Sequence, residues 1–121
     1  MEDALPDVLT QPDYGKQHCP MQDAIASIAD KWKLLILIEL GRDGTLRFKA
    51  LQRALAPVSQ KVLTGALREL EADGLLERTV FPEVPSRVEY TLTPSAHALL
   101  PILAQLHAWA EGREVQTSSV A

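Results

Sequence analysis

The segment from Ser59 to Gly74 leaves the backbone few options. Ser59 is a good N-cap, because its hydroxyl can accept an orphan N–H of a first helical turn. Gly74 suits the left-handed residue that closes a helix. Between them Leu63, Ala66, Leu67 and Leu70 recur at helical spacing and make one apolar face. The other face carries Gln60, Lys61, Thr64, Gly65 and Arg68, with no carboxylate before Glu69. The spacing predicts a helix buried on one side and rich in cations and hydrogen-bonding groups on the other. Such a helix suits a DNA major groove, although an ordinary solvated helix face has the same pattern.

The neighbouring segments favour the DNA reading. Phe48, Leu51 and Leu55 make a shorter helix over 48–55. Pro57 ends it, since proline lacks the donor and restricts the residue before it. A helix, a short turn and the Ser59 helix form a helix-turn-helix pattern. After Gly74 the period changes. Leu75–Val80 and Arg87–Leu92 are rich in strand formers, joined by a segment containing Pro82 and Pro85. They predict a β-hairpin directly after the reading helix, a wing. Upstream, Pro20 fits the first position of a helix carrying Ala24, Ile25, Ile28 and Ala29. Asp30-Lys31-Trp32-Lys33 interrupts that stripe. The apolar run that follows predicts a central helix closed by Gly41, with Thr45-Leu46-Arg47 as a short bridge to the sheet. Thr93-Pro94 begins a last helix, apolar at Leu99, Leu100, Ile102, Leu103, Leu106 and Trp109 through about Gly112. The fold class expected is mainly α with a small antiparallel β-wing. Its domain spans 18–112, between a flexible arm over 1–17 and a frayed tail over 113–121.

Charge follows the same division. Of 121 residues carrying a net charge of −4, residues 31–68 hold eight cations against Glu39 and Asp43. The segments on either side are each acidic. A basic centre between acidic flanks is the electrostatic footprint of a nucleic-acid-binding module. No apolar run approaches the ~20 residues of a membrane span. The acidic start lacks the features of a signal peptide, so a cytoplasmic location is expected.

Cys19-Pro20, Lys31–Leu37, Arg47-Phe48, Ser59–Thr64, Leu67–Leu75 and Pro82–Thr93 together resemble the HxlR-type winged helix-turn-helix regulators, in that family's order and spacing. The match covers roughly residues 18–110. It implies a bacterial homodimeric transcription regulator that pairs through its first and last helices and needs no cofactor. Two positions depart from the pattern. Gly65 replaces a larger polar residue, and Ser86 replaces a frequent second proline.

The expected DNA-binding set is Gln60, Lys61, Thr64 and Arg68 in the groove, with Arg47, Lys49 and Arg87 on phosphates, and the capping Ser59 beside them. Arg87 has a second reading, as a partner of Glu83 or Glu89. Ile25, Ile28, Leu99, Leu103, Leu106 and Trp109 form the expected dimer interface, which implies a palindromic operator. Trp32 reads as core or subunit contact. Cys19, the sole cysteine, precedes a helix start, where unpaired N–H groups favour thiolate. Its position resembles that of the family's cysteine that senses oxidants or electrophiles. The other reading is a small packed residue. No histidine spacing suits a metal, and no nucleophile has a base and acid arranged around it, so an enzyme is not expected. The competing class is a winged-helix protein-interaction module that never touches DNA.

Overall fold

Helix α2, Lys31–Asp43, is the element on which the others pack. In the computed structural model, which describes residues 20–120 and side chains through Arg113, it touches α1 (Pro20–Ile28), α3 (Phe48–Ala54), α5 (Pro94–Val120) and the reading helix α4 (Gln60–Ala72). Its start is fixed locally. Asp30 Oδ1 accepts the N–H groups of Trp32 at 2.8 Å and Lys33 at 3.1 Å, so the polar break after α1 is also a cap. Its end differs from expectation. The closing residue is Gly44, at φ +83°, rather than Gly41. Gly41 lies inside the helix and serves packing instead. A Cβ built there would come within 2.8 Å of Leu100 Cδ1, so the missing side chain is what lets α5 approach.

Three short strands complete the fold. β1 (Leu46–Arg47), β3 (Arg87–Leu92) and β2 (Leu76–Phe81) form an antiparallel sheet in the order β1-β3-β2. Arg47 lies opposite Glu89, and Leu46 opposite Tyr90. The core is shared by helices and sheet. Ile36, Leu37, Leu40, Leu51, Leu63, Leu67 and Leu70 are fully buried, and Leu76, Tyr90 and Leu92 close it from the sheet side. Trp32 is half-buried against this core, with Lys31 Nζ 4.8 Å from the centre of its ring.

Two polar ties join the elements. Lys33 is almost buried, and its Nζ lies 2.6 Å from Glu69 Oε1, which links α2 to α4. Thr93 caps α5 by accepting the Ala96 N–H at 3.2 Å, while its hydroxyl donates to the Gly74 carbonyl at 2.7 Å. The start of α5 is thereby tied to the end of α4.

Helix α5 outruns the expectation. It continues past Gly112 to Val120, because Gly112 keeps an ordinary negative φ and no proline follows it. The tail expected over 113–121 therefore continues the helix backbone through Val120. Pro101 sits inside α5 and leaves the His97 carbonyl without its usual helical donor. Among the described residues no helix is long and apolar enough to cross a membrane. His18, Cys19 and the arm over 1–17 lie outside the described residues.

Candidate nucleic-acid interface

Helix α4 is built as its sequence predicts. Ser59 Oγ accepts the Val62 N–H at 3.1 Å, and Gly74, at φ +79°, turns the chain away. The buried face is Leu63, Ala66, Leu67 and Leu70. Glu69 points sideways to Lys33. That leaves Gln60, Lys61 and Arg68 exposed and Thr64 half-buried on the outward face. Ser59 thus serves as the cap of this helix, and it is exposed.

Gly65 lies on this face without a steric reason. A Cβ there would meet nothing within 4 Å, and its φ is not positive. Gly65→Ala is therefore expected to stabilise the fold by about 0.5–1 kcal/mol, through helix propensity alone. Urea unfolding of the two proteins checks this, and a loss of stability would mean that the open space is occupied.

The cations sort into two groups. Lys33 is held by Glu69, and Arg42 by the buried Glu39 at 2.6 Å. Arg113 stacks on Trp109, and the exposed Lys31 of α2 lies over the Trp32 ring. Arg47, Lys49, Arg53, Lys61, Arg68 and Arg78 have neither an ion pair nor a ring contact among the described residues, and all six are exposed. Every one of these six lies on β1, α3, α4 or β2, the helix-turn-helix and wing elements. Among the described residues, the cations with neither kind of partner fall on one functional unit, despite a net charge of −4.

A cleft of about 670 Å³ opens where the β1–α3 corner meets the wing. Arg47, Lys49 and Arg53 line it from one side, and Ser86, Arg87 and Glu89 from the other. Arg87 is committed within the wing. Its Nη1 lies 3.1 Å from Glu83 Oε2, its Nε 3.2 Å from Glu89 Oε2, and its guanidinium stacks 4.0 Å from the centre of the Phe81 ring. The Nε contact is an ion pair without hydrogen-bonding geometry. A phosphate approaching Arg87 would compete with two carboxylates.

Sequence reasoning missed three residues of this surface. Val62 is 43% exposed in the first turn of α4, off the apolar stripe, where a methyl contact to thymine is feasible. Arg53 belongs to the basic 31–68 segment and Arg78 to the acidic one after it, and neither is among the expected contacts. Nothing local in the sequence marks them as unpaired, because pairing is decided by tertiary neighbours.

The second surface is apolar. On α1 no residue is buried, and Ile25 is 53% exposed. On α5, Ile102, Leu106 and Trp109 are all more than half exposed, whereas Leu99 and Leu103 are half-buried. A recess of about 330 Å³ lies between the two helices, lined by Ala24, Ile28, Leu99 and Ile102. Among the described residues no group of three metal-binding side chains gathers anywhere.

Comparison with known proteins agrees with this geometry. The model of the HxlR-like helix-turn-helix family matches residues 27–117. An HTH-type transcriptional regulator of Halalkalibacterium halodurans is 44% identical over 93 residues, covering 77% of this chain and 82% of that protein. A MarR-family transcriptional regulator from Enterococcus faecalis superposes with a TM-score of 0.72 at 44% identity, over 82% of this chain and 89% of that one. The redox regulator HypR in its reduced form superposes with a TM-score of 0.74 at 37% identity, over 83% and 98%. A helix-turn-helix with its free cations on the reading and wing elements, matched by one family model over most of its length, belongs to the HxlR-like helix-turn-helix family of transcription regulators, which are not enzymes.

Proposed function

We propose that this regulator is a two-fold dimer that binds a palindromic DNA operator sequence-specifically. The observation that carries the reading is that, among the described residues, the six exposed cations with neither an ion pair nor a ring contact all lie on β1, α3, α4 and β2. Gln60, Lys61, Thr64 and Arg68 read base edges from α4, and Arg47 and Lys49 hold phosphates from the cleft beside the wing. Base contacts specify, whereas phosphate contacts fix register. The bare apolar faces of α1 and α5 support pairing through Ile25, Ile28, Leu99, Leu103, Leu106 and Trp109. Two-fold pairing places the half-sites about one or two helical turns apart. Selection of bound duplexes from a random pool, with light scattering of the same sample, tests both parts. Enrichment of an inverted repeat by a dimer is the expected result. No enrichment would favour the protein-interaction module, and a stable monomer at micromolar concentration would remove the dimer. A cytoplasmic site of action follows from this role.

We further propose that Cys19 makes DNA binding respond to oxidants or electrophiles. Support comes from its place one residue before the start of α1 and from the likeness to HypR, described as a redox regulator. The chemistry with diamide is defined by electron balance. Two Cys19 thiols from paired subunits lose two electrons and two protons to form one disulfide, and diamide takes both up as its hydrazine. Cys19→Ser should bind the operator as the wild type does but ignore diamide or a quinone. Equal operator binding by the wild type before and after treatment would make Cys19 structural.

A further inference from the structure

We propose that Arg78 is a DNA phosphate-binding residue, seated between the reading helix and the wing. This rests on the DNA-binding reading above. In the sheet, Arg78 lies directly opposite Tyr90, which lies opposite Leu46. Directly paired residues point to the same face of a sheet, and so do residues two apart on one strand. Arg78 therefore shares the helix-facing side with the buried Leu76 and Tyr90, a position where alternation calls for an apolar residue. Yet it is exposed and has no ion pair among the described residues. The core ends at Leu76, and the same face of β2 runs on beyond it to Arg78 and the half-exposed Val80.

What Arg78 meets there is the reading helix. Thr64, Arg68 and Glu71 of α4 line a recess of about 320 Å³ together with Arg78 and Tyr90. Glu71 shares the recess but pairs with neither arginine among the described residues. Two uncommitted guanidinium groups opening on one recess repel each other until an anion comes between them. Thr64 and Arg68 belong to the outward face of α4, so an anion in this recess borders whatever α4 touches. A helix lying in the major groove is flanked by phosphates, and arginine binds them with its planar fork. Arg78 thus adds a phosphate contact on the β2 side of α4, whereas Arg47 and Lys49 lie at the β1 edge of the sheet.

The test is fluorescence anisotropy of the full chain on a duplex selected from a random pool and on a scrambled duplex, across salt. Losing one phosphate contact lowers the slope of log K against log salt by about 0.9 and weakens binding about fivefold near 0.15 M salt. Arg78→Gln should show both changes on both duplexes, with its unfolding midpoint unchanged. Arg78→Lys should keep the wild-type slope, since the charge remains. Glu71→Gln, which removes a carboxylate from the recess, should tighten both duplexes. An unchanged slope in folded Arg78→Gln would overturn the assignment. So would a loss confined to the selected duplex, which marks base reading, or an Arg78→Lys variant as weak as Arg78→Gln. Failure of the wild type to bind either duplex is a separate pattern, and it would remove the DNA reading and this contact together.

Discussion

Replacing Leu63 by alanine should lower the unfolding free energy by about 3 kcal/mol, within the 2–5 kcal/mol range of buried leucine truncations. Leu63 is fully buried on the core face of α4, within the cluster that includes Ile36, Leu37, Leu51 and Leu70. Truncation removes transfer free energy and leaves a cavity that this close-packed cluster fills only in part. Against a total stability of about 5–15 kcal/mol, that is a large fraction. Leu63→Met, which conserves volume, should lose less than about 1.5 kcal/mol. Val62→Ala, one residue earlier and 43% exposed, should stay within about 0.5 kcal/mol. Urea unfolding at one fixed protein concentration gives all three values, because dimerisation would otherwise enter the comparison. Equal losses at positions 62 and 63 would mean that α4 is rotated from the orientation described.

The second large effect concerns binding rather than folding. Lys61→Ala and Arg68→Ala should each weaken operator binding by about 1–3 kcal/mol if they reach base edges. The two lie seven residues apart on α4, about 10 Å along the axis, so their effects should nearly add. The double variant is expected to lose about 2–6 kcal/mol of operator affinity, whereas its stability should move little. Both side chains are exposed and unpaired among the described residues, so no buried partner is orphaned by removing them. Lys49→Ala should behave differently. It should weaken every sequence alike and reduce the salt slope by about one unit. Titrations on the selected and scrambled duplexes separate these outcomes. Full operator affinity in the double variant would place a different element in the groove.

The elements most legible in the sequence are those with chemically marked ends. Ser59 and Gly74 bound α4, and Thr93-Pro94 starts α5, because caps are local interactions between near neighbours. The hairpin was legible from its change of period, to within a residue at each strand. The errors came from tertiary causes. Gly41 and Gly44 both follow the apolar run of α2, and only the approach of Leu100 shows which of them closes the helix. Gly112 resembled a stop, yet nothing there obliges the chain to leave the helix.

The interface divides in the same way. The outward face of α4 follows from helical periodicity. The commitment of Arg87 to Glu83 and Glu89 was one of two readings, and the wing's folded geometry is what brings all three together with Phe81. Lys33 and Glu69 are 36 positions apart, so their pairing had no sequence signal. Among the described residues, the lack of an ion pair at Arg53 and Arg78 depends on where the acids fold, which no local sequence signal gives.

The position of α2 has a mechanical consequence. It touches α1, α5 and α4, and Lys33 fastens it to the reading helix through Glu69. Sliding α4 relative to α1 would require opening the layer of Ile36, Leu37 and Leu40 and parting the almost buried Lys33 from the exposed Glu69. Close-packed interiors resist such shear, whereas an interface between rigid bodies can rotate as a whole. A displacement applied at α1 would therefore tilt the entire head, with its internal geometry preserved.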